Sequence, residues 1–128
     1  MLDTTFLIDA DRSGDGLDEV IADDDDVALA VITVAELRVG SLLVSGRARA
    51  ERTAFITDVL AAVPVVDYDL EVAEAHAELL AEVRRQGKPR GAHDLLIAAT
   101  AKASRRTVVT ADETAFANLA GLEVRHHR

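Results

Sequence analysis

The stretch that most constrains the fold is the apolar run at residues 91–101, with the sequence GAHDLLIAATA. The spacing of its Leu, Ile and Ala residues predicts a buried helix. Asp94 lies in the first turn of this helix, where an unpaired and desolvated carboxylate costs several kcal/mol. The free N–H groups and the positive dipole end of a helix N-terminus offset about 0.3 to 1 kcal/mol of that cost. Asp94 is therefore either a partner of the helix dipole or one ligand of a shared metal ion.

Three other acidic residues occupy comparable positions in the sequence. Asp3 ends a short apolar start, Glu36 lies at the head of a second apolar helix, and Asp112 follows a predicted strand. In an open α/β sheet, functional groups gather beyond the carboxyl ends of the strands. Asp94 reaches the same edge if the loop before its helix delivers the helix N-terminus there. We expect these four carboxylates to meet.

The alternation of short apolar runs with helical patterns predicts an α/β fold with a mostly parallel central sheet covered by helices on both faces. The run at 27–32 is β-branched and aliphatic, which is typical of a strand buried on both faces. The length of 128 residues fits one domain over residues 1–128. The predicted strands are 1–3, 27–32, 63–67, 107–110 and 122–124. Residues 4–9 are predicted to turn into a helix, with Phe6, Leu7 and Ala10 in helical spacing. The other predicted helices are 17–22, 34–44, 47–62, 70–86 and 91–104, with a turn or short helix at 111–119 and a solvated acidic turn at 23–26.

The composition excludes several kinds of site. The chain has no cysteine, which rules out disulfides and thiolate zinc sites. No run approaches the roughly 18 apolar residues of a membrane span, and the start lacks the basic region of a signal peptide, so we expect a cytoplasmic protein without membrane association. The net charge of −9 argues against nonspecific attraction to nucleic acid. Bound divalent cations would reverse the local sign of a carboxylate cluster.

The segment Thr33-Val-Ala-Glu36 offers a purely structural interpretation of Glu36. Its spacing matches a capping box, in which Thr33 caps the following helix and Glu36 reaches back to the backbone N–H of Thr33. Metal binding by Glu36 is the alternative, and the motif by itself leaves both open.

The histidines do not indicate a catalytic pair. His93 is adjacent to Asp94, and neighbouring residues of a helix point apart, so we expect a structural or peripheral role for His93. His126 and His127 are interpreted as a tail.

Four sequence blocks follow one another along the chain: LDTT at 2–5, TVAELRVG at 33–40, HDLLIAATA at 93–101 and VVTADETAF at 108–116. In this order and at these separations they resemble the PIN-domain ribonucleases, and more closely the VapC toxins of bacterial VapBC toxin–antitoxin pairs. The resemblance spans nearly the whole chain and implies a single PIN domain. It implies these roles: metal binding by Asp3, Glu36, Asp94 and Asp112, with Thr5 and Thr110 as supporting hydroxyls.

One departure concerns Asp112, since the last motif of the family often carries Asn near this position. Relatives differ in which residue there touches the metal.

The resemblance also implies an activity and partners. A set of carboxylates without His or Cys suits Mg²⁺ or Mn²⁺, which would promote attack of water on a phosphodiester to leave a 5′-phosphate and a 3′-hydroxyl. VapC-like proteins imply structured RNA, commonly transfer RNA, as substrate. They also imply a homodimer and inhibition by a VapB-type antitoxin, which we expect at the apolar faces of helices 34–44 and 50–62. The rival hypothesis is a catalytically inactive PIN-like module whose carboxylates cap helices.

Basic residues upstream of Asp94 are candidates for RNA binding. Arg84, Arg85, Lys88 and Arg90 precede its helix and could contact RNA phosphates beside the metal edge. The alternative is that they complement the C-terminal dipole of the preceding helix. Aromatic residues make up only 3% of the chain, so we expect recognition of RNA shape and phosphates rather than base stacking.

Overall fold

The computed structural model describes residues 1–14, 21 and 26–127. Strands β1 (Leu29–Ala30) and β2 (Val65–Val66) pair in parallel, as do β3 (Val108–Thr110) and β4 (Val124–His126). Leu2 joins the two pairs, because it bridges β3 in parallel and donates its backbone N–H to the carbonyl next to β1. The order across the sheet is therefore β4, β3, Leu2, β1, β2. This arrangement confirms the predicted parallel sheet.

Helices cover both faces of this sheet, which confirms the predicted α/β architecture. One apolar cluster, which includes Leu79 and Ala98, packs against Val108 on one face. A second, which includes Leu7 and Val59, packs against Leu29 on the other. Among the described residues, the helices are α1 (Thr4–Ser13), α2 (Val31–Leu42), α3 (Gly46–Ala62), α4 (Leu70–Gln86) and α5 (Ala92–Ala103).

The predicted strand at 27–32 is too long. Only Leu29–Ala30 is a strand, and α2 begins immediately at Val31. A short apolar run does not by itself distinguish a buried strand from a buried helix segment. Here the run contains the whole of β1 and the first residues of α2. The helix therefore starts at the carboxyl edge of β1, which brings Glu36 to that edge.

The C-terminal residues are not a free tail. Strand β4 spans Val124–His126 rather than the predicted 122–124. His127 donates its backbone N–H to the carbonyl of Thr110 at 2.8 Å, and its ring packs edge-on against Phe6 with 5.0 Å between centroids. The last strand thus lies close to the edge of the sheet where the carboxylates were expected.

Two predicted features fall on positions that the structure describes only in part. The predicted helix at 17–22 lies outside the described residues except for Ile21. Of the acidic run, only Asp26 is described, and its carboxylate accepts a bond from Arg106 at 3.1 Å. None of the described helices combines the length and the apolar character needed to cross a bilayer.

Candidate active site

Asp3 is a buried carboxylate, 1% exposed, that caps the N-terminus of α1. Its Oδ1 accepts the backbone N–H of Phe6 at 2.8 Å, and its Oδ2 accepts the hydroxyl of Thr110 at 2.5 Å. Thr5 also donates to Asp3, at 2.9 Å from Oδ1. Burial raises the pKa of Asp3, while the bonds from Thr110, Phe6 and Thr5 oppose that rise. Hydrogen bonds thus hold the carboxylate in one orientation, and no residue in the described ranges forms an ion pair with it.

Thr110 connects the start of the chain to the turn after β3. Its hydroxyl lies 3.1 Å from that of Thr5 and accepts the backbone N–H of Asp112 at 2.9 Å. The hydroxyl of Thr5 also accepts the backbone N–H of Ala111 at 3.2 Å. Both predicted supporting hydroxyls therefore lie beside Asp3.

Glu36 lies between the start of α1 and the start of α5. Its Oε1 accepts the hydroxyl of Thr4 at 2.7 Å, and its Oε2 lies 3.4 Å from Nδ1 of His93. His93 thus contacts a carboxylate of the candidate site, although not the one beside it in sequence. Thr4 was not identified from the sequence, because its contact with Glu36 joins positions 32 residues apart.

The predicted capping box at Thr33 and Glu36 is wrong. Helix α2 begins at Val31, its N-cap is Ala30, and no side chain caps it. Thr33 is consequently inside the first turn, fully buried, and its hydroxyl has no hydrogen-bond partner among the described residues. The side chain of Glu36 bonds to Thr4 across the structure instead, so capping does not explain it.

Asp94 lies in the first turn of α5, as predicted. Burial raises its pKa, and the negative charges of Asp3, Glu36 and Asp112 raise it further. His93 acts in the opposite direction and lowers the pKa. The structure therefore places Asp94 within electrostatic range of the other three acidic residues, which connectivity alone left open.

Asp112 differs from the buried Asp3 because it is only partly buried and is bonded to its own turn. Its Oδ1 accepts the backbone N–H groups of Thr114 at 2.8 Å and of Ala115 at 3.1 Å. The bond from the Thr114 N–H is the main cause of a lowered pKa. Asp112 stays ionised more readily than Asp3 or Asp94 and also shapes the turn.

The basic residues divide into two groups. Arg84 and Arg85 occupy the last turn of α4, and Lys88 follows in the loop; all three are exposed. Arg90 instead donates its guanidinium N–H groups to backbone carbonyls of the turn after Asp112. Its partners are the carbonyls of Thr114 at 3.1 Å, Ala115 at 3.3 Å and Ala117 at 2.5 Å.

The donor set suits a hard divalent cation. Carboxylates without thiol ligands favour Mg²⁺ or Mn²⁺, and the mutual repulsion that raises the pKa of Asp94 is what a bound cation would relieve. Within the described ranges, no three His, Asp or Glu side chains already meet the distances of a finished metal site.

Comparison with known proteins identifies the family. Residues 1–122 match the model of the PIN domain. The chain is 38% identical over 122 residues to the ribonuclease VapC5 of Mycobacterium tuberculosis, covering 94% of this chain and 87% of the relative. It is 39% identical over 102 residues to the VapC ribonuclease Y4jK of Sinorhizobium fredii, covering 75% of this chain and 71% of the relative.

Solved structures of related proteins have the same fold. The crystal structure of VapBC-5 from Mycobacterium tuberculosis matches with a TM-score of 0.77 and 34% identity, covering 99% of this chain and 95% of that one. VapBC2 from Rickettsia felis, bound to a promoter DNA fragment, matches in fold with a TM-score of 0.88 and 23% identity, covering 100% of this chain and 98% of that one. The chain therefore belongs to the PIN-domain family and, within it, to the VapC group.

Proposed function

We propose that this chain is a metal-dependent endoribonuclease and the toxin of a type II toxin–antitoxin pair. The observation that carries the proposal is geometric: the carboxylate of Glu36 bonds to Thr4, the neighbour of the buried Asp3, at 2.7 Å and lies 3.4 Å from His93, the neighbour of Asp94, so that three distant parts of the chain meet. A fold gains no stability by gathering like charges without a counter-ion. Relatives that are named VapC ribonucleases support the same activity.

Asp3, Glu36 and Asp94 would hold the cation, with Asp112 at the open side of the site. When bound, Mg²⁺ or Mn²⁺ supplies Lewis acidity for the attack of water on a phosphodiester and neutralises charge on the leaving oxygen. No nucleophilic side chain is required.

The chain's own hydroxyls would keep these carboxylates in place. Thr110 and Thr5 orient Asp3 through short hydrogen bonds, and Thr4 orients Glu36. Each bond restricts the rotation of the carboxylate that accepts it. The residues therefore supply a set of preoriented oxygen ligands, which is the protein's main contribution in metal-assisted hydrolysis.

We propose structured RNA, such as transfer RNA, as the substrate. Arg84, Arg85 and Lys88 are exposed beside the start of α5, where they would bind phosphates that flank the scissile bond. Arg90 has a different role in this proposal, because its guanidinium already holds the turn after Asp112. It would position that turn rather than bind RNA.

A VapB-type antitoxin is the proposed protein partner, and the solved relatives include VapBC complexes. A cavity of about 100 Å³ lies between α1, α2 and α3 and extends from Glu36 to Ile8, Leu37, Phe55 and Ile56. An apolar side chain of an antitoxin would fit this cavity, and a basic side chain beside it would reach Glu36. A cation of that kind would replace the charge of the metal.

The end of α2 offers an apolar surface to the same partner. Val39, Leu42 and Leu43 are 53%, 65% and 80% exposed. We propose that the antitoxin covers these residues and that the toxin itself forms a homodimer. Leu42→Asp and Leu43→Asp should weaken antitoxin binding in calorimetry while leaving RNA cleavage intact. Leu70→Asp, at a residue that is 77% exposed on another helix, should not weaken it.

The activity is tested by incubating the purified protein with total RNA in Mn²⁺ or Mg²⁺, with and without EDTA, and mapping the cut ends. We expect cuts that carry 5′-phosphates, that stop in EDTA and that are absent with Asp94→Asn and Asp3→Asn. Equal cleavage in EDTA would overturn the metal dependence. A protein that binds RNA but cuts none of it under any of these conditions would favour an inactive module.

A further inference from the structure

Gly91 is the N-cap of α5 and lies three residues before Asp94. A Cβ atom at position 91 would lie 2.9 Å from Oδ2 of Asp94 and 3.5 Å from its Cγ. The first distance is shorter than real contacts of a Cβ atom allow. Any residue other than glycine would therefore push the carboxylate of Asp94 away from its present position.

The backbone does not explain the glycine. Gly91 has φ −59° and ψ 131°, a conformation that every amino acid adopts readily. A need for positive φ, which justifies glycine elsewhere, is absent at this position.

Helix capping does not explain it either. Ser, Thr, Asp and Asn are the preferred N-cap residues because their side chains accept an N–H of the first turn. Gly91 provides no such bond, and α5 has no side-chain cap. The stability of the helix alone would favour a different residue at position 91. The remaining reason for glycine there is the space that it leaves for the carboxylate of Asp94.

The carboxylate of Asp94 is less firmly held by hydrogen bonds than that of Asp3, so its orientation depends more on the space around it. Three donors fix the carboxylate of Asp3, from Thr5, Phe6 and Thr110. In the described part of the chain, no such donor bonds to the carboxylate of Asp94. Its orientation therefore depends on what it packs against, and its Oδ2 occupies the space that a Cβ atom at position 91 would fill.

We propose that Gly91 is a positioning residue for the cation site: the missing side chain lets the carboxylate of Asp94 fold back over the start of α5, where it can share a cation with Asp3 and Glu36. This inference rests on the proposed function. Its physical basis is that a shift of about 1 Å in a catalytic group can lower the rate about 100-fold.

The test compares Gly91→Ser and Gly91→Ala with the wild-type protein. Both variants add the Cβ atom, but only Ser also supplies an N-cap hydroxyl. We expect both to lose at least about tenfold in RNA cleavage and to lose most of the rise in melting temperature that Mn²⁺ gives the wild type by mass action. The metal-free Gly91→Ser protein should melt at or above the wild-type temperature. Ala92→Ser, at the exposed neighbouring position, is the control and should keep both the cleavage and the response to Mn²⁺.

The outcomes separate this inference from the proposed function. Wild-type cleavage and a wild-type response to Mn²⁺ in Gly91→Ser would overturn the positioning role. So would a large loss of metal-free stability in both variants, because glycine would then serve the fold. If the wild-type protein itself neither responds to Mn²⁺ nor cuts RNA, the proposed function fails instead.

Discussion

Thr110 and Asp3 are 107 positions apart in the chain, yet the hydroxyl of Thr110 donates to Oδ2 of Asp3 at 2.5 Å. The bond joins the end of β3 to the start of α1 and is wholly buried, with Thr110 0% exposed. The acceptor is a buried carboxylate that forms no ion pair with any described residue, so the hydrogen bonds from Thr110, Phe6 and Thr5 are what oppose the rise in its pKa. The same bond thus serves both the fold and the candidate site.

Thr110→Val should lower the free energy of unfolding by about 1.5 to 3 kcal/mol at pH 7, the usual cost of losing a hydrogen bond to a charged group. It should also raise the pKa of Asp3 further, since the largest opposing bond is removed. Urea unfolding measures the first effect, and carboxyl NMR titration measures the second.

Thr110→Ser is the matched variant, because it keeps the hydroxyl and loses only a methyl group. It should retain most of the stability and a wild-type pKa for Asp3. Thr57→Val, at an exposed residue whose hydroxyl bonds within its own helix, should change stability by less than about 0.5 kcal/mol. If Thr110→Ser were as destabilised as Thr110→Val, packing rather than the hydrogen bond would be responsible.

Asp94→Asn should lower the rate of RNA cleavage at least about 100-fold, because it removes a proposed metal ligand. Its metal-free stability should depend on pH in a defined direction. The pKa of Asp94 is raised above 3.8 in the folded protein, so folding favours its protonated form. The stability that this protonated form contributes is fully present below pH 3.8 and is lost as the pH rises through the raised pKa of Asp94. The wild type should therefore weaken relative to Asp94→Asn over this interval.

The measurement is urea unfolding of both proteins in EDTA from pH 3 to pH 8. The stability of Asp94→Asn minus that of the wild type should grow with pH and then level off by neutral pH. A variant that is less stable than the wild type at neutral pH would show that Asp94 stabilises the helix through its dipole, as the rival interpretation requires.

Arg90→Ala should lower the free energy of unfolding by about 1 to 3 kcal/mol, because it leaves carbonyls of the turn at Thr114, Ala115 and Ala117 without their donor. Arg90→Lys should recover only part of that loss, since a lysine cannot reproduce the forked donor geometry. Thermal unfolding checks both. An Arg90→Ala protein of wild-type stability would contradict the structural role and return Arg90 to the RNA-binding candidates.

Replacing Arg84 and Arg85 together with Gln should raise KM for RNA several-fold, leave kcat nearly unchanged and flatten the dependence of binding on salt. The cause is the loss of phosphate contacts without any change at the carboxylates. Arg47→Gln is the control, because the side chain of Arg47 is 92% exposed and pairs with Glu51 in its own helix. If the control raised KM as much, nonspecific surface charge would explain the effect.

Local patterns in the sequence were sufficient for the elements that carry their own periodicity. The helix with Asp94 in its first turn, the long helix at 70–86 and the strand ending at Thr110 were predicted close to their observed bounds. Each depends on apolar spacing and turn residues within a few positions, which the sequence displays directly. The parallel sheet followed from the alternation of these elements.

The tertiary structure decided what depends on contacts between distant residues. Local spacing could not predict three features of the structure. These are the start of α2 at Val31 rather than after Thr33, the bond from Thr4 to Glu36, and the hydrogen bonds from Arg90 to the turn after Asp112. The reason is physical: apolar periodicity indicates which face of an element is buried, but not which neighbour it meets there. The sequence by itself determined which residues are candidate ligands, and the packing of distant elements decided that Glu36 contacts Thr4 beside Asp3 and His93 beside Asp94.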